Sequence, residues 1–569
     1  MPSAVPLDAR RWLRWSACAL AALCLAAGAV LSLRGLSGLP VYYFYAQDAG
    51  LLIAAALGLL LLSHLPDESG RRWQPSGRQI AAAVGVAALF AYAGTWLVML
   101  RYPMSRDEVL AQFAAEYLQR GNLGWPIPAS VRPLAKALMP VWTDGRIAQG
   151  YWVSDYLPVN SALRALAGHM GDTWLAGPIL LVIGMGAMWS SARRIWPETP
   201  EPATVTLVLA LTSAQLLVTA MTPYAMTAHF ALNALWLACF LRGGRSGHTM
   251  AVAVGLLATG LHQFHFHVMF VAGFIVWAWL AGRRTTAIGY AAACVGYHII
   301  WQYCFPHLMT AALGPTVTQP APATSWIVAH IQRLRDLEPL SSIARFAAWQ
   351  NVLLLPLAAL GLTRWFPRHD RKLPIAFALQ LSCAFAAATL VYQGFGYGYR
   401  YLSGVMPCIL LLAAGGWMRL TDGGSRKLPR YLLPAAAGFA LTVTLPVTIW
   451  QSHILLRPYA DSFRTARAAP ADIVLIDGRG GGFLQDIIRI DSRIQRPLLL
   501  DLAYVPDAEL AQLCRQRRVM LFDHRQAHAL GVMGSGVGDQ PDYRERAARN
   551  RRAIARLHCD APVPLHHGT

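Results

Sequence analysis

Apolar segments of about twenty residues recur along most of this chain, and that repetition leaves few folds open. Trp15–Leu33, Ala46–His64 and Ile80–Leu100 are the first three, and about ten more lie between Trp174 and Trp450. Inside a bilayer the backbone must satisfy its own hydrogen bonds, so such segments predict spanning helices. The expected fold class is an α-helical polytopic membrane protein with about 13 spans, followed by a small C-terminal α/β domain. With 55% hydrophobic and 14% charged residues, the chain does not read as a soluble multidomain protein.

The net charge of +20 would suggest nucleic acid in a soluble protein. Here the basic residues cluster in alternate connections between apolar segments, as at Arg71/Arg72, Arg193/Arg194, Arg283/Arg284 and Arg426/Lys427. That is the positive-inside pattern of a multi-pass protein. No zinc-finger spacing or Walker loop is present, and no nucleic-acid partner is expected. The pattern puts the N-terminus in the cytoplasm. It puts the 101–173 loop, the Gln263–His265 turn, the Phe305–Arg345 loop, the GFGYGYRY turn and the C-terminal tail outside. The expected location is the bacterial inner membrane.

Three regions follow: an N-terminal two-span hairpin over 1–79, a transmembrane domain over 80–451, and an extracytoplasmic α/β domain over 452–569. In the last, DIVLID (472–477), PLLLDL (497–502) and RVMLFD (518–523) read as short buried strands, with helices over Asp507–Gln516 and Tyr543–Leu557. GRGGG after the first strand lacks the spacing and lysine of a phosphate loop and reads as a strand-end turn. Cys514 and Cys559 are the only cysteines in this tail, and an oxidising compartment favours their pairing as a disulfide. In the Phe305–Arg345 loop, SWIVAHIQRLRDLEPL (325–340) predicts an amphipathic interfacial helix.

Acids are scarce, 29 in 569 residues, so the adjacent pair Asp107–Glu108 just past an apolar segment stands out. Ala111, Ala114, Ala115 and Leu118 then recur near a helical period, and Gly121 supplies a stop. Asp107 would sit at the entry of this helix, where the dipole favours a carboxylate; a helix cap and a reactive group are both open to it. Asp155 is the second acid of the loop, or simply a turn residue. His262, His265 and His267 fall where two short helices meet at the outer surface. A lone histidine there would be a core residue, whereas three together suggest contact with phosphate or metal. Arg400, flanked by Tyr397, Tyr399 and Tyr401, is suited to bidentate phosphate binding, or to anchoring at an aromatic belt.

The order of these pieces resembles the membrane-embedded type-C (GT-C) glycosyltransferases, in particular bacterial relatives of the protein O-mannosyltransferases and lipid A aminoarabinose transferases. The motifs carrying the resemblance are SRDEVLAQFAAEYLQRGNLG (105–124), YWVSDYLPVNSALRALAGHMG (151–171), GLLATGLHQFHFHVMFVAGF (255–274) and GYGYRYLSGVMP (396–407). Two apolar segments precede the one leading into the acidic loop, and the Lys-Pro-Pro element of relatives is missing near Tyr156–Pro158.

The resemblance implies transfer of a sugar from a polyprenyl-phosphate carrier to a lipid, glycan or protein acceptor in the cell envelope. Asp107 is then the expected general base, and Glu108 orients it, binds the acceptor or helps hold a metal. Asp155, Tyr156, His262, His265, His267, Tyr399 and Arg400 are the expected substrate-binding residues, with Arg400 and His265 on the carrier phosphate. No cofactor is required by the sequence, though Asp107 and His265 could share a divalent metal ion. An O-antigen polymerase or ligase, or a flippase of lipid-linked sugars, are the competing readings. A transporter would favour internal repeats and mid-membrane charges, which the sequence lacks.

Overall fold

The computed structural model describes residues 8–33, 38–66, 75–138, 145–316, 339–361, 374–388, 395–421, 431–489, 495–534 and 541–565. Most of the helix expected over 325–340 lies outside them. The chain is a helical, polytopic membrane protein with a small α/β region at its C-terminal end. Among the described residues, Ala9–Leu33, Leu39–Leu62, Gly77–Leu97, Thr173–Ile195, Arg400–Thr421 and Leu432–Arg467 are long and apolar enough to cross a membrane. Other expected segments form shorter helices, Met226–Arg242, Gly244–Thr259 and His265–Leu280, whereas Arg284–Ile299 continues without a break through Ile300–Cys304 into Phe305–Leu313, so the start of the expected Phe305–Arg345 loop is helical. A helix of 16 residues such as His265–Leu280 is about 24 Å long, short of a bilayer core of about 30 Å.

Two expected single spans are broken instead. Glu201–Leu211 and Ala214–Ala220 meet at a 58° bend, and Pro339–Ala348 and Leu354–Gly361 are separated by Trp349–Leu353. The breaks satisfy each other. Ser213 Oγ bonds Gln350 Oε1 at 2.7 Å, Asn351 Nδ2 donates to Thr212 Oγ1 at 2.8 Å, and the Gln215 amide donates to the Trp349 carbonyl at 3.1 Å. Backbone groups freed inside an apolar core thereby find partners.

In the 101–173 loop β1 (Trp125–Pro126) pairs antiparallel with β2 (Tyr151–Trp152), and in the tail β3 (Ile473–Ile476) lies between β4 (Leu498–Asp501) and β5 (Val519–Phe522) in a parallel sheet. All four residues of β3 are buried, as expected of a central parallel strand covered on both faces. Cys514 and Cys559 form a disulfide, Cα to Cα 5.6 Å. The sheet packs directly against the 101–173 loop of the membrane region. Ile473, Leu475 and Leu500 share one apolar cluster with Leu110 and Phe113 of the acidic helix and with Trp152. The expected boundary at 452 falls inside the Leu432–Arg467 helix.

Candidate active site

Ser105 begins the acidic helix, Arg106–Gln119. Its hydroxyl accepts the Glu108 amide, and the Glu108 carboxylate accepts the Ser105 amide, a reciprocal capping box. The helix stops where expected, with Gly121 at φ +75°. Capping therefore belongs to Ser105 and Glu108, not to Asp107. Glu108 is buried, and its Oε2 also accepts the Met104 amide at 3.1 Å. Burial, opposed by those amide bonds and by Arg400, pushes its carboxyl up to about 7. The roles expected of Glu108 toward acceptor or metal give way to this structural one, because its longer side chain reaches back to the helix start.

Asp107 in the same turn accepts two charge-relevant donors. Tyr156 Oη donates to Oδ1 at 2.6 Å, and Arg400 Nη2 donates to Oδ2 at 2.9 Å. Burial alone would raise the Asp107 carboxyl, but Arg400, His262, Tyr156 and Arg106 together hold it below the usual range. It is thus ionised at neutral pH. Tyr156 is pushed upward by burial and by Asp107, so it stays protonated and donates.

Arg400 is buried, with Nη1 donating to the Phe395 carbonyl at 3.0 Å and its guanidinium 4.1 Å from the Tyr224 ring centre. The turn needs glycine at 396: φ is +152°, and a Cβ would lie 2.5 Å from Arg400 Nη1.

Beside this cluster opens a cavity of about 640 Å³. Asp155, Tyr156, His262, Gln263, His265 and Arg146 line its polar part, and Trp301, Phe305 and Met309 contribute apolar surface. Asp107 lines a smaller neighbouring space with Asn160, Ser161 and Tyr224, and only Tyr156, Leu157 and His262 line both. The Tyr156 and His262 rings are 4.3 Å apart. Burial, only partly offset by Asp107, pushes His262 down to about 4, so it is neutral at pH 7.

Several expectations are corrected. Arg400 does not line the large cavity with His265, because a buried guanidinium needs a counter-charge and Asp107 supplies it. His267 belongs to the core: its Nδ1 bonds Asn233 Oδ1 at 2.7 Å, and its ring lies 6.0 Å from that of Trp236. Tyr399 is fully buried before the Arg400–Val405 turn and lines neither space. Asp107 and His265 line different spaces, and no group of three His, Cys, Asp or Glu among the described residues could hold a metal ion.

Sequence reasoning missed Arg146, whose Nε donates to the Gly314 carbonyl at 2.9 Å and Nη2 to Thr310 Oγ1 at 3.3 Å. Its signal was a basic residue in a loop assigned outside. Also missed was Arg164, fully buried, which clasps the Thr222 and Pro223 carbonyls at 2.8 and 3.1 Å.

Two crystal structures of ArnT from Cupriavidus metallidurans are similar to this chain. The apo form has 11% identity and a TM-score of 0.46, covering 77% of this chain and 91% of ArnT. The form bound to undecaprenyl phosphate has 12% identity and a TM-score of 0.46, covering 86% and 90%. No family model matches the chain, and no curated protein matches it.

Proposed function

We propose that this protein is a membrane-embedded glycosyltransferase. It takes a sugar from a polyprenyl-phosphate carrier, the donor class implied by its GT-C-like motif order, and passes it to a hydroxyl of a lipid, glycan or protein acceptor. The observation that carries the reading is the charged Asp107, held by Tyr156 and Arg400 beside a cavity lined by both polar and apolar residues.

In the proposed step the acceptor oxygen attacks the anomeric carbon while its proton passes to Asp107. The bond from that carbon to the carrier phosphate breaks, and the phosphate leaves with the electron pair. Proton removal by a positioned carboxylate contributes roughly 10²–10⁴ in rate. Arg146, with His265 nearby in the same cavity, is the proposed partner of the departing phosphate. Donors held in place by the fold stabilise developing charge without reorganising at the moment of reaction. Trp301, Phe305 and Met309 offer the polyprenyl chain an apolar wall. Tyr156 must release Asp107 for the acceptor to reach it, since the base lines only the smaller space.

The site is proposed to face outward, with the N-terminus in the cytoplasm. Reporter fusions after Arg194 and Arg284 should then score cytoplasmic and one at Thr569 outside. For the activity itself, mass spectrometry of glycolipids and glycans should compare cells with and without the protein. The expected result is a glycan or lipid that lacks one sugar in its absence, with the lipid-linked donor accumulating. Identical profiles would remove the proposal.

A further inference from the structure

We infer that the loop leaving the central strand of the tail, Asp477–Arg489, is a clamp that positions both members of the Asp107–Arg400 pair. The inference rests on the reading of that pair as the reacting centre.

Three contacts converge. Asp486, itself buried, pairs with Arg106 Nη2 at 3.1 Å and accepts the Arg106 amide at 3.2 Å, one residue before Asp107. Arg489 donates to the Pro103 carbonyl and lies 3.8 Å from the Tyr102 ring centre, holding the approach to the acidic helix. Phe483 stacks on Phe395, centres 4.6 Å apart and planes 13° from parallel, and the Phe395 carbonyl is the acceptor that holds Arg400. One short loop thus touches the neighbour of the base and the support of its counter-charge. Tyr459 fixes it from below by donating to the Gly482 carbonyl at 2.8 Å.

The place of this loop in the tail supports the assignment. Open parallel sheets present their working loops at the carboxyl ends of strands. Here the loop after central β3 is occupied by the acidic helix and the 395–400 turn. The tail's most prominent working edge therefore completes the membrane site. Phe483 and Asp486 touch no proposed substrate atom; they are positioning residues.

The test uses the full-length protein in detergent with two separate variants, Asp486→Asn and Phe483→Leu. Hydrogen–deuterium exchange should rise about tenfold or more in residues 105–109 and 395–400, and stay unchanged in β3. For the sugar transfer found by mass spectrometry, kcat should fall about ten- to a hundredfold with KM within about twofold, as for a small misplacement of reacting groups. A merely structural role would speed exchange everywhere, β3 included. Wild-type exchange in both segments, or wild-type kcat in both variants, would overturn the clamp. If the wild type transfers no sugar, the proposed function fails, and the exchange pattern alone decides the clamp.

Discussion

Asp107→Asn is the most informative single change, because both partners of Asp107 are donors. The carboxylate accepts from Tyr156 at 2.6 Å and from Arg400 at 2.9 Å. Asparagine keeps the shape but has one acceptor oxygen, and its amide group must face a donor. One charge-assisted bond is lost, about 1.5–3 kcal/mol. The Arg400 side chain, only 5% exposed, also loses its counter-charge. Breaking a buried pair costs about 3–5 kcal/mol, and the 20% exposure of Asp107 moderates that, so a loss of about 3 kcal/mol is expected. Turnover should fall roughly 10²–10⁴-fold if Asp107 takes the proton. A second change separates the two effects. In Asp107→Asn/Arg400→Gln the stranded buried charge is gone, so thermal stability should recover in part while turnover stays low. The measurements are thermal unfolding in detergent and turnover at saturating donor. Near-normal turnover of Asp107→Asn, or full recovery of turnover in the double variant, would show that Asp107 merely neutralises Arg400.

Arg146→Ala should weaken binding of a polyprenyl phosphate, the proposed carrier class, about 10–100-fold, the worth of a charge-assisted contact, with Arg146→Lys between the two; unchanged affinity would move the phosphate site elsewhere. Glu108 gives a pH signature. Its carboxyl rises from 4.5 to about 7 on folding, so the folded state holds the proton more tightly and stability falls as pH climbs through that window. The loss is about 3 kcal/mol, and Glu108→Gln should remove that share from the pH dependence of thermal unfolding, leaving the falling contribution of buried Asp501, raised to about 7, and the opposite one of His262, lowered to about 4. Replacing Cys514 and Cys559 by serine opens a loop of 45 residues and should destabilise the tail by about 4 kcal/mol on the chain-entropy model, read as faster proteolysis of the tail.

What could be read from the sequence was local. Short apolar runs ended by Asp gave the three strands within a residue, and the spacing after Asp107–Glu108 gave the acidic helix and its stop. Pairings across long separations could not be read this way. Thr212–Ser213 and Gln350–Asn351 look like tolerable small polar residues in apolar spans, and only their contacts, 137 and 139 residues apart, turn them into breaks. Arg400 meets Asp107 across 293 residues, and Arg106 meets Asp486 across 380. A basic residue alone in an outer turn suggested a free phosphate binder, but burial demanded a counter-charge for it.

The same logic explains why the two neighbouring acids do different work. Consecutive residues of a helix point about 100° apart, so Asp107 and Glu108 cannot serve one partner. The longer side chain, at the third position after Ser105, curls back to the free amides of the helix start, and burial there raises its carboxyl to about 7, so that it is about half protonated at pH 7. The shorter one projects toward Tyr156 and Arg400, which keep it charged. Environments that push two carboxyls apart in this way separate their roles: Glu108 is occupied by the amides of the helix start, while Asp107, charged throughout, stands beside Tyr156 at the cavity. Arg400 is thereby committed to Asp107, and in the proposed reaction the phosphate partner is Arg146, which lines the larger cavity.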